Sequence, residues 1–244
     1  MNASLRLGWR TLWRDLRAGE LRLLIVAVLL AVAALTAVGF FADRLKGGLQ
    51  RDARQLLGGD AVVVSDNPTP DAFVAQAKSL GLEGTGTYGF PTMARAEDAQ
   101  GGASKLVALK AVTAGYPLRG SLQTSATLDG PGAVTRDIPP AGEVWVDASL
   151  LDSLGLKIGD TLLLGDTGLR VGRVITLEPD RGAGFMSFSP RVMLNQADVA
   201  RTALVQPASR VGYRYAVAGN DAAVKRFTDW ADATLKKEIG RAHV

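Results

Sequence analysis

The longest apolar stretch of the chain lies near its N-terminus, where 19 consecutive residues from Leu23 to Phe41 carry no charge. As a helix, this stretch would be roughly 28 Å long, close to the roughly 30 Å of a bilayer's hydrocarbon core. A core helix of a soluble protein usually keeps a polar face, which this stretch lacks. The pattern therefore predicts a transmembrane helix. The alternative is a cleaved signal peptide with a cleavage site at Ala31-Val32-Ala33, although the apolar run continues well past that site.

Residues 1–20 show the period of an amphipathic helix, with arginines on the face that adjoins an apolar stripe. Tryptophan rings favour headgroup depth and arginines pair with lipid phosphates, so we interpret this segment as an interfacial helix. The alternative is a soluble amphipathic helix that packs on the rest of the protein. The stripe comprises Leu5, Trp9, Leu12, Trp13 and Leu16, and the predicted membrane anchors are Trp9, Arg10, Trp13 and Arg14, with Leu23 and Phe41 at the ends of the span.

The helical apolar pattern continues beyond the span through Leu45, Leu49 and Leu56 and ends at Gly58-Gly59, which is typical of a helix C-terminus. We therefore assign the transmembrane helix and the start of a stalk to residues 21–46. Residues 47–244 are then an extracytoplasmic domain. Its first predicted elements are a strand at 61–64, a helix from Pro68 to Leu80, and a hairpin of strands 85–97 and 104–113 that turns at Gln100-Gly101-Gly102.

The amino-acid composition of the chain changes at Gly115. After this residue Gly, Pro, Asp and Thr are frequent, and the predicted strands are short. We predict a β-rich insertion over 115–207. Residues 60–113 and 211–240 would form one α/β subdomain around it, so the predicted fold class is α+β. The predicted elements are strands at 143–146, 161–164, 169–178, 191–194 and 211–218, a short helix from Asp147 to Leu154, and a final helix from residue 220 or 221 to Lys237.

Composition excludes several classes of function. The net charge of +4 comes mostly from five arginines within residues 1–22, and the remainder is nearly neutral, which argues against nucleic acid binding. The chain has no cysteine and a single histidine, His243, so no disulfide, multi-histidine metal site or Ser-His-Asp triad is expected. It also lacks a P-loop motif. We therefore expect no catalytic, metal-binding or cofactor-binding residues.

One loop stands out as a candidate site for a partner or an amphiphilic ligand. Phe185, Met186 and Phe188 lie in the Gly- and Pro-rich segment 179–190, where exposed apolar groups often mark interactions. The alternative is that these side chains fold back onto the core.

Two polar positions, Asp60 and Asp160, each follow a glycine, and we interpret them as turn residues that accept backbone N–H groups.

Four segments occur in an order and spacing that resemble the FtsX/MacB-like permeases of ABC transporters, most closely the YbbP-type permeases. They are LLGGDAVVVSDNP (56–68), GEVWVDASLLDSLGLKIGDTLLLG (142–165), SFSPRVMLNQADVARTAL (187–204) and SRVGYRYAVAG (209–219). The resemblance implies a MacB-like periplasmic core domain after the first transmembrane helix, with a porter-like α/β subdomain and an inserted β-rich subdomain. It also implies the bacterial inner membrane, with the N-terminus in the cytoplasm and the main domain in the periplasm.

The same resemblance implies a non-enzymatic transporter component. A cytoplasmic ABC ATPase subunit would drive it, membrane lipids would surround it, and a periplasmic partner or hydrophobic substrate would meet its domain. Permeases of this type have at least four spans, whereas this sequence has one, so we expect an N-terminal segment of a permease whose ATPase contacts lie elsewhere. The alternative is a single-pass anchored binding module without a transport role, which would end naturally at Val244. An anchored hydrolase built on Ser187 is disfavoured because no internal histidine can serve as its base.

Overall fold

The computed structural model describes residues 3–182, 188–206 and 209–241. The chain divides into two compact units, Met1–Arg51 and Asp52–Val244. The first unit contains helix α1 (Ala3–Ala18) and most of helix α2 (Glu20–Leu57). Within the described residues, α2 is the one helix long and apolar enough to cross a membrane. It continues unbroken to Leu57, as the helical pattern beyond the span predicts.

The second unit is a mixed α/β domain in which ten strands, counted over the described residues, belong to one sheet. Its helices are short except for the last, because Gly and Pro interrupt the chain often. The strands are β1 (Ala61–Ser65), β2 (Glu83–Ala96), β3 (Ser104–Val112), β4 (Leu122–Ser125), β5 (Ala133–Thr135), β6 (Glu143–Asp147), β7 (Thr161–Leu164), β8 (Thr167–Leu177), β9 (Arg191–Asn195) and β10 (Gly212–Ala218), and the helices are α3 (Asp71–Ser79), α4 (Ala148–Leu154), α5 (Gln196–Thr202) and α6 (Asp221–Arg241).

Six of the described strands close on themselves into a barrel. The pairings run β2–β3–β9–β6–β8–β7 and return to β2, with β3–β9 and β6–β8 parallel and the others antiparallel. Alternate residues of each strand point inward, which places the aliphatic side chains of Val107, Leu109, Val192 and Leu194 in a shared core. Helix α4 adds three leucines to this core, Leu150, Leu151 and Leu154.

Two further clusters flank the barrel. Strands β10 and β1 extend the sheet beyond β2, and helices α3 and α6 contact this extension through Phe73, Phe227 and Trp230. On the outer face of the barrel, Trp145 and Met193 are buried with Tyr116 and Leu122. Neither cluster shares a buried residue with the barrel interior.

The predicted α+β class is confirmed in its coarse form, a domain of mixed helices and strands, and so is the β2–β3 hairpin; that the strands share one large sheet is not predicted. Helix α3 is shorter than the predicted 68–80 helix, because Pro70 precedes its first turn. Helix α5 and strands β4 and β5 lie in segments without a predicted element. The division into an α/β subdomain and a β-rich insertion stays a prediction. Strands of the two predicted parts pair directly, β3 with β9 and β2 with β7.

Candidate functional site

The last turn of α2 is tied to the sheet by a buried aspartate, Asp60, whose side chain is 1% exposed. Arg119 binds it through two nitrogens, with Nε 3.0 Å from Oδ1 and Nη2 2.7 Å from Oδ2. Arg54, on α2, has its Nε 3.6 Å from Oδ1, and the Gly219 backbone N–H donates to Oδ2 at 2.9 Å. We call these four residues the helix joint. It connects the end of α2 to the segment before β4 and to the end of β10.

Backbone hydrogen bonds reinforce the helix joint. The N–H groups of Leu118 and Arg119 both donate to the Gly58 carbonyl at 3.1 Å. Gly120 approaches α2 so closely that a Cβ there would lie 3.2 Å from the Gln55 carbonyl oxygen and 2.6 Å from Pro179 Cβ. Gly120 also has a φ of 79°, a left-handed conformation that favours glycine. This position therefore requires glycine for both space and conformation.

Hydrogen bonds and neighbouring charges lower the pKa of Asp60. Burial alone raises the pKa of a carboxyl group, but the hydrogen bonds from Arg119 and Gly219 and the charges of Arg119 and Arg54 outweigh it. The pKa of Asp60 is consequently below its ordinary value. Asp60 is therefore an ionised carboxylate at neutral pH, held between two guanidinium groups.

A second buried network lies against the outer face of the barrel. Lys110 Nζ donates to Glu178 Oε1 at 2.8 Å and to Asp180 Oδ1 at 2.7 Å, and it also binds the Tyr116 hydroxyl at 2.8 Å. Tyr116 donates in turn to Asp180 Oδ1. Arg191 Nε binds the other oxygen of Glu178 at 2.7 Å. Each of these charged groups is paired, as burial requires.

The network joins the residues on either side of the 182–190 loop, which carries the predicted apolar residues. We call this junction the neck of the loop. Arg181 binds both carboxylate oxygens of Asp147, at 2.6 and 3.1 Å, and also donates to the Ser189 carbonyl at 3.3 Å. Arg191 Nη2 donates to the Arg181 carbonyl at 3.3 Å. The two ends of segment 182–190 are thereby joined. We call the six charged residues the clasp: Lys110, Asp147, Glu178, Asp180, Arg181 and Arg191.

The clasp contains three cations and three anions, and its environment shifts several pKa values. Burial raises the pKa of Glu178, but the charges of Lys110 and Arg191 and their hydrogen bonds outweigh it, so its pKa lies below the ordinary value. Burial, followed by the charges of Asp180 and Glu178, raises the pKa of the Tyr116 hydroxyl well above its usual range. Tyr116 is therefore a neutral residue that donates a hydrogen bond to Asp180 of the clasp.

The helix joint and the clasp are neighbours. A Cβ at Gly58, which accepts the two backbone bonds of the joint, would lie 3.2 Å from Asp180 Cβ of the clasp. Pro179 separates Glu178 from Asp180 in sequence and meets Gly120 on the other side. The residue that follows α2 and the start of the 182–190 segment therefore lie close together.

An exposed apolar surface lies beside this loop. Phe188 is 87% exposed, and Met93 and Leu106, which are direct cross-strand partners on β2 and β3, are 52% and 44% exposed. The loop is held next to them because the Ala108 N–H donates to the Pro190 carbonyl at 2.9 Å. We call Met93, Leu106 and Phe188 the apolar strip. Two residues further along the same strands, the cross-strand partners Pro91 and Ala108 line a groove of about 550 Å³, together with Arg210.

The structure places the predicted site residues as follows. Phe188 is exposed rather than folded onto the core, whereas Phe185 and Met186 lie outside the described residues. The predicted anchors lie on α1 and α2, and all of them are exposed within their unit; their membrane role stays a prediction. They are Trp9, Arg10, Trp13, Arg14, Leu23 and Phe41.

The turn role predicted for Asp160 is confirmed, since its Oδ2 accepts from the Lys157 N–H at 2.8 Å. Asp60 accepts a backbone N–H as predicted, but its two arginine partners are absent from that interpretation. The clasp is likewise not predicted by the sequence pattern. Its one sequence signal is the isolated Lys110 inside the apolar run of β3, because a lone charge in a buried strand needs a partner.

The fold and these sites define a class: a membrane protein that joins one membrane-length helix to a mixed α/β domain. Across the described residues, no group of three or more Asp, Glu, His or Cys residues is arranged to hold a metal ion. The buried charges are paired with one another and leave no open nucleophile–base pair in the helix joint or the clasp.

Comparison with known proteins makes the class of protein more specific. The chain is 36% identical over 229 residues to a protein of Escherichia coli (strain K12) described as an uncharacterized ABC transporter permease, YbbP. The alignment covers 94% of this chain and 27% of that relative, so the chain spans about a quarter of the relative's length. This similarity confirms the resemblance to YbbP-type permeases.

No protein-family model matches the chain. Among solved structures, a domain assigned to a permease protein from Porphyromonas gingivalis aligns with 64% of this chain and 68% of that chain, at 12% identity and a TM-score of 0.36. A likeness of this degree carries no argument about fold or function.

Proposed function

We propose that this chain is the part of an ABC permease that transmits the conformational changes of a cytoplasmic ATPase subunit to an extracytoplasmic domain. The observation that carries the proposal is the helix joint, in which a membrane-length helix ends on a buried carboxylate held by two arginines. The chain itself would be non-enzymatic, with ATP hydrolysis located on the partner subunit. The setting we propose is the bacterial inner membrane, with the N-terminus cytoplasmic and the second unit periplasmic.

A helix transmits displacement only if its far end is firmly attached. The 38 residues of α2 correspond to a rod roughly 57 Å long. At its end, Asp60 combines two ion pairs with a backbone hydrogen bond; its carboxylate is buried, while Arg54 and Arg119 are 38% and 39% exposed, so solvent screening makes these pairs weaker than fully buried ones. The helix joint would therefore resist bending while the rod moves. The adjacent clasp would pass the movement to the 182–190 loop.

The apolar strip supports a hydrophobic or lipid-related substrate for export. Met93, Leu106 and Phe188 expose apolar surface beside a groove large enough for a small ligand. Because the loop neck adjoins the helix joint, movement of α2 would change the presentation of Phe188. Membrane lipids around α1 and α2 would complete the setting, with the tryptophans and arginines of α1 as interfacial anchors.

The test uses the complete permease with its ATPase subunit in proteoliposomes. Asp60→Asn weakens both ion pairs of the joint, so we expect ATP hydrolysis to continue while release of a fluorescent lysophospholipid probe falls by about tenfold or more, given the strength of charge-assisted bonds. The matched control is Asp229→Asn, which removes an exposed ion pair with Lys225 on α6. Unchanged probe release in the Asp60 variant would refute coupling through the joint.

A second candidate function is an anchored binding module without transport, favoured by the exposure of the apolar strip. It predicts that the strip binds its partner whether or not the ATPase turns over. Equal binding of the lysophospholipid probe with and without ATP, together with an inert Asp60→Asn variant, would favour this module over the permease role.

A further inference from the structure

A cleft on the outer face of the barrel lies apart from the helix joint, the clasp and the apolar strip. It has a volume of about 510 Å³, within the range of small-ligand sites. Trp145 of β6 and Arg173 of β8 line it, together with the segment that contains Arg136 and Pro139. We call it the tryptophan cleft. Its lining residues take no part in the proposed coupling of α2 to the 182–190 loop.

The indole of Trp145 is the unusual feature of this cleft. Its side chain is 2% exposed, yet among the described residues its Nε1 has no hydrogen-bond acceptor. An indole N–H can only donate, and buried donors are almost always satisfied. Gly172 and Glu143 lie beside it, since a Cβ at Gly172 would lie 3.5 Å from Nε1 and 2.4 Å from Glu143 Oε2. The cleft thus holds a buried donor that no acceptor of the described residues satisfies.

The charged groups of the cleft add further unused donors. The Arg173 guanidinium lies 5.3 Å from the Trp145 ring centroid and donates weakly to the Thr124 hydroxyl, at 3.4 Å. In the described part of the chain, neither Arg136 nor Arg173 forms an ion pair with a carboxylate, and Arg136 has no polar partner. Each guanidinium can offer two parallel N–H groups to one oxyanion.

The two carboxylates of the lining are engaged elsewhere. Asp137 Oδ2 accepts from the Thr135 hydroxyl at 3.2 Å, and Glu143 Oε1 lies 3.4 Å from Arg170 Nε. Each carboxylate thus has a partner on one of its two oxygens, whereas the Trp145 N–H and the Arg136 guanidinium have none among the described residues. These unpartnered donors suit an incoming group that is negatively charged and rich in acceptor oxygens.

We propose that the tryptophan cleft binds an oxyanion, a carboxylate or phosphate group. One oxygen accepts from Trp145 Nε1, the guanidinium groups of Arg136 and Arg173 neutralise the charge, and apolar atoms next to the oxyanion rest on Pro139 and Ile138. The site is independent of coupling, so its failure leaves the proposed function standing, and the reverse also holds.

The competing explanation for the unpartnered indole is Glu143. A Cβ at Gly172 would lie 2.4 Å from Glu143 Oε2, so this carboxylate is close to the same space. If it rotates to accept from Trp145, no anion is needed. The experiment must therefore separate an added anion from an internal carboxylate.

The test uses the full chain in lipid nanodiscs with its tryptophans labelled as 5-fluorotryptophan. The signal of Trp145 is assigned by Trp145→Phe, and by Glu143→Gln if that variant does not fold. Sodium phosphate and sodium acetate are titrated separately against chloride at constant ionic strength. We expect a saturable shift of the Trp145 signal while the signals of Trp9, Trp13 and Trp230 stay in place.

Arg136→Gln and Arg173→Gln should each weaken the response by about tenfold or more, as loss of one charge-assisted interaction predicts. The matched control, Arg95→Gln, removes an exposed arginine paired with Asp98 and should have no effect. A stronger response to phosphate or to acetate identifies which oxyanion the cleft takes. An equal response to chloride, an unmoved Trp145 signal, or a response unaffected by both arginine variants would overturn the proposal.

Discussion

Glu178 shows how single residues stabilise the second unit. Its carboxylate is fully buried and receives Lys110 on one oxygen and Arg191 on the other, at 2.8 and 2.7 Å. Desolvation of these charges is costly, and only the paired geometry offsets it. Removal of the Glu178 carboxylate alone leaves a buried cation without its partner, and this costs more free energy than the ion pair contributes to stability. The clasp should therefore tolerate complete replacement better than the loss of one member.

For this reason Glu178→Gln should lower the free energy of unfolding by about 3–5 kcal/mol, the usual cost of breaking a buried ion pair. The folded-state pKa of Glu178 lies below the ordinary 4.5. Its contribution is therefore present above the unfolded-state pKa and is lost as the pH falls through the folded-state value. Denaturant unfolding of the full chain in detergent micelles, at pH 7 and at pH 3, measures both effects.

In the Glu178→Gln variant, we expect part of the acid destabilisation of the parent chain to disappear. The control is Glu83→Gln, an exposed glutamate at the start of β2 whose replacement should change stability by less than about 0.5 kcal/mol. A Glu178 variant as stable as the Glu83 variant would show that the clasp does not stabilise the fold.

At the scale of elements, α2 combines a rigid attachment with a potential weak point. Its C-terminal turn is fixed by the helix joint, but Gly47 and Gly48 lie in the helix interior. Glycine destabilises a helix interior by about 1 kcal/mol relative to alanine. A Cβ at either position would meet no described atom within 4 Å. The pair therefore lowers the stiffness of the helix without a packing reason.

If α2 transmits motion as a rigid rod, Gly47→Ala combined with Gly48→Ala should raise helix stability by about 2 kcal/mol and leave coupling intact. Insertion of two glycines after Leu49 is the opposite change and should uncouple ATP hydrolysis from export. Circular dichroism reports the helix content, and proteoliposomes with the complete permease and its ATPase report coupling. Loss of export in the double alanine variant would mean instead that the glycine pair bends during the cycle.

At the scale of the whole molecule, the second unit keeps its stability and its interaction surface in different places. The barrel interior holds the core, and the apolar strip lies outside it with Phe188 at the edge of a loop. A side chain that is 87% exposed contributes little burial energy to the fold. Its exposure is therefore better explained by an interaction than by folding.

Phe188→Ser should consequently change the free energy of unfolding by less than about 0.5 kcal/mol while weakening binding of the fluorescent lysophospholipid probe. Val134→Ser is a suitable control, because Val134 is a similarly exposed apolar residue on β5, away from the apolar strip. Fluorescence titration and denaturant unfolding give the two readouts. Equal binding by the Phe188 and Val134 variants would remove the strip from substrate recognition.

Sequence pattern alone could predict those features that depend on local periodicity or composition. The membrane-length helix, its continuation to Leu57 and the β2–β3 hairpin follow from residue spacing and turn chemistry. The exposed position of Phe188 does not follow from the sequence, because the same residue types occur in loops and in cores. The lack of cysteine and of internal histidine likewise limits the possible chemistry in any fold.

Only the tertiary structure decides which distant residues meet. Asp60 joins Arg119 and Gly219, and Lys110 joins Glu178 and Asp180, across separations that no short-range pattern encodes. The closure of six strands into a barrel has the same origin, since the pairing of β2 with β7 depends on how the whole sheet curls. Periodicity determined most of the elements from near neighbours, but not α5, β4 and β5, whereas the joint, the clasp and the cleft required long-range packing to bring opposite charges and unused donors together.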